Sequence, residues 1–364
     1  MDKHFNIVKT FALKASLIVG IIATFTFVAY AAKGDAKSID FNNRFMIGIF
    51  SVRPISDMPN LKKIGFNCVQ AYENKIPYLQ DFISECWRNS LFVLVYPGPD
   101  FEQYGPTFES TVKDLVSKNN LPKVIWYIGD EPDLKKDPAA RKKISVLNLI
   151  VKSTDPDATT ALTAGWWTDY ADWADITDIF MIDIYPIGKK KYNFNDDVGK
   201  VSEYTRKAVR ASKGKPVWVI LQAFGYQDEQ DSGFGWTREP TYDEMRAMTY
   251  LAIINGAKGV FYYTYECHGY KIKKSKQHWN DLQSIIAELN NYLPVLTAEA
   301  SDKIIVDDLN GKNAIEYSVK KYQDKYYLFA VNETREGVKA RIRKRAGVFT
   351  EKFKPLETKI YVFD

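Results

Sequence analysis

Histidine is nearly missing from this chain. There are three, His4, His268 and His278, and the first lies in an N-terminal segment that reads as a leader. A three-histidine zinc site is therefore excluded from the rest of the chain. A Ser-His-Asp or Cys-His system would have to use His268 or His278. A Cys267-His268 pair is a poor candidate, because adjacent residues rarely present both side chains to one substrate. Cysteine is as scarce: Cys68, Cys86 and Cys267. Cys68 falls on an expected strand and Cys86 on the next helix, so one bridge is conceivable, but three buried thiols is the favoured reading. No disulfide framework or metal knuckle can be assembled. No Gly-x-Gly-x-x-Gly or Walker loop follows the first expected strand, so a nucleotide crevice has no support. The sequence calls for no metal or organic cofactor.

A strong charge of one sign is also lacking. The formal charge is +5. Residues 1–31 carry Lys3, Lys9 and Lys14 against Asp2, which leaves +3 for the remainder. The run Lys189-Lys190-Lys191 and the basic-aromatic stretch Tyr270–Lys276 read as solvated loops, so no nucleic-acid partner is expected.

What is present begins with a leader. Ala15 to Ala32 holds no charge, and Ala29-Tyr30-Ala31 fits a small-x-small cleavage site. Residues 1–31 are expected to be a signal peptide, or else an uncleaved membrane anchor, since about 18 apolar residues can span ~30 Å of hydrocarbon. The expectation is export: secreted or otherwise extracytoplasmic, with membrane attachment only through residues 15–32. Asn332-Glu333-Thr334 is a glycosylation sequon.

From residue 42 short apolar runs alternate with amphipathic ones. Strands are expected at Phe45–Val52, Asn67–Tyr72, Leu91–Tyr96, Val124–Ile128, Thr159–Gly165, Ile179–Ile184, Val217–Leu221 and Gly259–Tyr263. Helices are expected between them, the clearest at Tyr242–Asn255, where Pro240 precedes a Thr241/Glu244 capping box and Gly256 follows. Eight strands each followed by a helix predict an α/β fold, a (β/α)8 TIM barrel over residues 42–298. A doubly wound open sheet is the alternative. After residue 300 the strands crowd together and turns separate them, which predicts a small antiparallel, β-sandwich-like domain over 300–364.

Barrel enzymes keep their chemistry at the C-terminal ends of the strands. Strand four ends Gly129-Asp130-Glu131-Pro132-Asp133, strand six Asp183-Ile184-Tyr185, strand seven Leu221-Gln222, strand eight Tyr263-Thr264-Tyr265-Glu266, and strand one Arg53. Period-two alternation puts Glu131 inward with Gly129 and Tyr127, Asp183 inward with Met181 and Tyr185, and Gln222 inward with Ile220 and Trp218. On strand eight, either Tyr263 and Tyr265 or Thr264 and Glu266 face the pocket. Glycosidic cleavage needs one protonated carboxyl and one ionised carboxylate. Glu131 is the candidate acid. Asp183 is the favoured second carboxylate, followed by Glu266 and then Asp130. Asp130-Glu131-Pro132-Asp133 also has a plain reading, as the cap of the loop beyond. Trp166, Trp167, Trp236, Tyr72, Tyr185 and Tyr263 are candidate sugar platforms, Gln222 a candidate polarising group, and Arg53 a candidate binder of a carboxylated sugar or, the favoured reading, a holder of Glu131 or Asp130. Aromatics are 14% of the chain, which suits such a cleft or a ring-rich core.

These residues carry a resemblance. The chain resembles the TIM-barrel glycoside hydrolases of the large clan whose fourth strand ends Asn-Glu-Pro, with Asp130-Glu131-Pro132 in that place. The resemblance covers about residues 44–295 and implies a glycoside hydrolase with a carbohydrate substrate and Glu131 as acid/base. It also marks a departure: Gln222 stands where that clan carries a nucleophilic Glu at the end of strand seven. The expected function is an exported glycoside hydrolase; the alternative is a catalytically silent carbohydrate-binding barrel, with a barrel lyase or esterase a distant third.

Overall fold

The computed structural model describes residues 39–72, 76–97, 107–135, 137–165, 168–188, 194–226 and 235–364. The leader, Trp166, Trp167 and Lys189–Lys191 lie outside them. Residues 40–364 form one unit.

Eight parallel strands close a barrel in sequence order: β1 Met46–Ile49, β2 Cys68–Ala71, β3 Phe92–Val95, β4 Val124–Asp130, β5 Thr159–Ala164, β6 Ile179–Ile184, β7 Val217–Gln222 and β8 Gly259–Tyr263, with β8 paired back to β1. The open sheet is thereby excluded. Around them run α1 Met58–Ile64, α2 Ile76–Arg88, α3 Phe108–Lys118, α4 Ala140–Thr154, α5 Gly199–Ala211, α6 Tyr242–Ile254 and α7 Lys276–Leu296. One expected helix is absent among the described residues. Between β5 and β6 they hold a 3-10 turn, Tyr170–Asp172, capped at its start by the Asp169 side chain, which accepts from Ala171 N–H.

Alternation sorts each strand. Val93, Val95, Ile182, Ile184, Val219 and Leu221 pack outward among the helices, while the inner positions of the barrel carry rings. Trp218 stacks on Phe261 at 5.0 Å, Phe261 meets Phe50 at 5.8 Å, and Phe50 meets Tyr127 at 5.7 Å. The high aromatic content is thus largely core. Cys68, Cys86 and Cys267 are buried free thiols, so the conceivable Cys68–Cys86 bridge is not made.

The capping box forms as its spacing predicts: Thr241 Oγ1 accepts from Glu244 N–H at 3.2 Å and Glu244 Oε2 accepts from Thr241 N–H at 2.8 Å. The helix that it starts, α6, is apolar nearly all round, with Met245, Ala247, Met248, Tyr250, Leu251, Ala252 and Ile253 buried. Such a helix needs cover on both sides. A C-terminal β-sandwich supplies it. Strands β11 Glu299–Ala300, β13 Ile315–Tyr322, β14 Lys325–Asn332 and β17 Thr358–Phe363 form one sheet; β12 Ile305–Asp308, β15 Val338–Lys344 and β16 Gly347–Phe353 form the other. Phe329 and Val331 of β14 face the barrel's helices, with Phe329 stacked on Tyr250 at 5.9 Å, whereas Leu328 and Ala330 face the second sheet. The sequon is closed in this fold. Asn332 is buried, and its amide donates to Glu336 O and Lys354 O, so it offers no acceptor nitrogen to a glycosyltransferase.

Two further strands, β9 Glu266–Cys267 and β10 Tyr270–Lys271, make a hairpin after β8. Among the described residues no helix is long and apolar enough to cross a membrane.

Candidate active site

The mouth at the strands' C-terminal ends is organised by an irregularity in β4. The pairing of β4 with β5 shifts register between Tyr127 and Gly129. This bulge breaks the expected alternation. Gly129 points outward instead of inward: a Cβ there would lie 2.4 Å from the Leu162 side chain, which belongs to the outer layer. Asp130 turns inward in its place, and its Oδ1 accepts from Tyr127 OH at 2.5 Å and Tyr72 OH at 3.3 Å. Glu131 then sits in the left-handed region, φ 44°, a conformation that costs a non-glycine residue about 1 kcal/mol or more. Its N–H donates to Thr163 O at 3.0 Å and its carbonyl accepts from Leu134 N–H at 3.1 Å, so the backbone is pinned there. The strained residue carries its side chain to Asp183, with which it shares a hydrogen bond.

Asp183 is only 5% exposed. Burial, then the charges of Glu131 and Asp130, push its carboxyl well above the usual carboxylate range, and the Glu131 hydrogen bond adds to this. Two carboxyls in contact cannot both ionise cheaply, so loss of the second proton is resisted. Burial, and then neighbouring carboxylates, also push up the phenols of Tyr72 and Tyr127, Asp130 first among those charges; for Tyr185 the first is Asp183. Tyr72 and Tyr127 are thereby kept as donors to Asp130.

The plain reading of this acidic segment holds for one residue. Asp133 Oδ1 accepts from Gly165 N–H at 3.1 Å and so ties the end of β5.

The opposite wall is aromatic. Tyr185 stacks on Tyr263 at 5.7 Å and meets Phe224 at 5.2 Å and Trp236 at 5.8 Å. Trp236 is half-buried and donates its indole N–H to Tyr185 O at 3.0 Å, so it packs as part of that wall. The loop that bears it crosses closely over Gly225, where a Cβ would lie 2.0 Å from the Arg238 carbonyl carbon.

Several expected site residues are placed elsewhere or otherwise engaged. Gln222 points inward but is fully buried; its Oε1 accepts from Ile187 N–H at 2.9 Å and its Nε2 donates to Ile187 O and Phe224 O at 3.0 Å. It staples the loop after β6, and its donors and acceptor are spent on backbone, so the polarising role expected for it is not supported. Glu266 belongs to the β9–β10 hairpin and is ion-paired with Lys271; it is not among the groups that act on Asp183. Neither expected alternation of strand eight holds, because Tyr263 faces the wall while Tyr265 packs on Trp279 in the outer layer. The Arg53 side chain is exposed and pairs with no carboxylate among the described residues, so it does not hold Glu131 or Asp130; its carbonyl accepts from Tyr78 OH. Trp166 and Trp167 lie outside the described residues. His268 is exposed in the hairpin turn. His278 is 4% exposed, and burial lowers its pKa.

Tyr96 and Tyr127 also line the mouth, Tyr96 meeting Tyr72 at 5.9 Å and Tyr127 at 5.7 Å. Tyr127 was legible from its inward parity, and Tyr96 from its place at the end of the third expected strand. Among the described residues no set of three His, Cys, Asp or Glu side chains is arranged to hold a metal ion.

The closed eight-strand barrel and its terminal β-sandwich place the chain in the TIM-barrel class. No family model matches the sequence, and no curated protein matches it. Its structural neighbours are glycoside hydrolases. It is similar to an alpha-amylase from Anoxybacillus (TM-score 0.57, 10% identity, 89% of this chain and 98% of that one). It is similar to the cyclic alpha-maltosyl-(1→6)-maltose hydrolase from Arthrobacter globiformis (TM-score 0.56, 10% identity, 90% and 100%). A third neighbour is a cold-adapted beta-galactosidase from Rahnella sp. R3 (TM-score 0.54, 11% identity, 72% and 58%). At these identities the likeness is one of fold.

Proposed function

We propose that the protein is a glycoside hydrolase that cleaves an oligo- or polysaccharide at the C-terminal mouth of its barrel. The observation that carries this reading is the carboxyl pair Glu131–Asp183, buried on one side and placed where barrel enzymes keep their chemistry. A glycosidic leaving oxygen must be protonated by a carboxyl that still holds its proton near neutrality. Glu131 is the half-buried member of the pair and Asp183 the deep one. In the proposed mechanism Glu131 delivers the proton and Asp183 stores it.

Carboxyls in hydrogen-bond contact are closer than the ~5–5.5 Å that separates acid from nucleophile in retaining enzymes. The two therefore act together as the acid, and the ionised partner is Asp130, the acceptor of two phenol hydrogen bonds. Asp130 activates water or stabilises the positive charge that develops on the sugar. The rings of Tyr185 and Tyr263 offer a face to the sugar's apolar side. The apolar leader supports action outside the cytoplasm.

A second reading is favoured by Gln222. The strand-seven position that bears the nucleophile in the resembled clan holds a buried amide tied to backbone, as in a barrel that binds carbohydrate without cleaving it. Reducing-sugar release from a broad glycan panel, by the chain and by Glu131→Gln, separates the two. Release that falls about 10²-fold or more in the variant supports hydrolysis by this acid. Glycan binding with no release from any substrate supports the silent barrel, and full release by the variant overturns the acid assignment.

A further inference from the structure

The sandwich carries a second concave feature, far in sequence from the carboxyl pair. Residues 301–364 hold 14 Lys and Arg against 10 Asp and Glu, a net +4 out of the chain's +5. The excess is not spread evenly. On β15 the buried Val338, Ala340 and Ile342 alternate with exposed Lys339, Arg341 and Arg343. Arg343 pairs with Asp307 at 2.9 Å. Lys339 has no such partner: it lies directly across the ladder from Lys352 of β16. Like charges directly opposite each other destabilise a sheet, and neither ammonium has a carboxylate partner among the described residues.

This pair rims a cleft of about 840 Å³ together with Lys354 and Lys359. Leu309, which is 42% exposed, and the buried ring of Phe353 supply apolar lining. Glu357 is the one carboxylate that lines the cleft; it is 3.7 Å from Lys359 and accepts from Lys354 N–H. The charges of Lys339, Lys352 and Lys354 are left uncompensated over an apolar patch. The volume is that of a site for a small ligand or a few units of a chain.

We propose that this cleft binds an anionic polysaccharide, its carboxylate or sulfate groups on Lys339, Lys352 and Lys354 and the apolar face of a sugar against Leu309 and the exposed Pro355. The choice of a sugar polymer among polyanions rests on the reading of the barrel as a glycoside hydrolase; the binding itself does not, since the cleft is lined wholly by the sandwich.

The test is affinity electrophoresis of the full chain in gels that contain polygalacturonate, dextran sulfate or neutral dextran. Binding of vesicles of phosphatidylglycerol and of duplex DNA is measured alongside. Lys339→Glu/Lys352→Glu is compared with Lys303→Glu/Lys325→Glu, an equal charge change at exposed positions off the cleft. The expected result is retardation by at least one acidic polymer and not by dextran. It should weaken at least tenfold in the cleft variant, change less than twofold in the control variant, and decline with added salt. Retardation that is absent, or lost equally in both variants, overturns the proposal. Binding to DNA or vesicles as tight as to the acidic polymers overturns the assignment of a sugar polymer. The proposed hydrolysis is read separately, by release from neutral substrates, so a silent barrel with an intact cleft, or the converse, is distinguishable.

Discussion

Asp183 and Glu244 are both buried carboxylates, 5% and 1% exposed, and the protein treats them in opposite ways. Glu244 sits at the first turn of α6. It receives Arg238 on both oxygens, at 2.7 and 2.8 Å, Arg335 from the sandwich at 2.5 Å, and a backbone N–H. Burial alone would raise its pKa, but these partners outweigh it and hold the carboxyl at about 2. Arg238 also binds Asp196 at 2.7 Å, so the cluster ties the loops after β6 and β7 to the sandwich. Asp183 receives no cation among the described residues. Its neighbours are Glu131 and Asp130, and its carboxyl is pushed up. A carboxylate that serves the scaffold is given countercharges; one left among other acids, next to a residue held at positive φ, is paying a stability cost that the fold alone does not require.

The sharpest way to break this contrast is at the mouth. Glu131→Gln, and likewise Asp130→Asn, should lower turnover by about 10²-fold or more with the melting temperature preserved. A loss that tracks unfolding in a melting experiment would move both residues to the scaffold side. Next in size is Glu244→Gln. Its pKa of about 2 against an ordinary 4.5 corresponds to about 3 kcal/mol of stability at neutral pH. The folded pKa is depressed, so that stability is present above about 4.5 and lost as pH falls toward 2. The variant should melt several degrees lower at pH 7 and lose most of the wild type's acid sensitivity over that window.

Gln222→Glu tests the strand-seven departure. A carboxylate there would face the Ile187 and Phe224 carbonyls that now accept from the amide. The expected outcome is a loss of about 1–3 kcal/mol in denaturant titration and no gain in hydrolysis; a gain would mean that the position is poised for chemistry. The smallest effect is expected from Asp183→Asn, and its sign is the informative part. A raised folded pKa means that the residue's contribution is full below the ordinary carboxylate range and is lost as pH rises through the folded value. Removing the ionisable group should therefore raise the melting temperature near and above neutrality by a few degrees at most, while turnover falls.

The fold was legible because a barrel repeats one signal eight times: a short apolar run, then an amphipathic one. The exceptions have local causes. The β5–β6 connection is a 3-10 turn set by Asp169, a feature with no helical period to betray it. Strand β16 has Val348 and Phe349 adjacent and then polar Thr350, Glu351 and Lys352 before Phe353, so its sequence lacks the apolar–polar alternation of its partner β15. At the mouth, the convergence of Asp183 and Tyr185 followed from strand ends and parity, and that of Glu131 from its strand-end position alone. Asp130's inward turn did not, because a bulge inverts the parity after it, and Glu131 reaches Asp183 from a left-handed backbone; neither leaves a mark in composition. Nor did the fate of Gln222, since an inward amide is the same in sequence whether it meets a substrate or the backbone of Ile187.

The central claim, that the Glu131–Asp183 pair keeps a proton into neutral pH, is tested most directly by carbon-13 titration of the carboxyl groups in the full chain. The account predicts one carboxyl signal still in its protonated position at pH 7, and its loss in both Glu131→Gln and Asp183→Asn. Titration of every carboxyl below pH 6, in a folded wild-type protein, would contradict it.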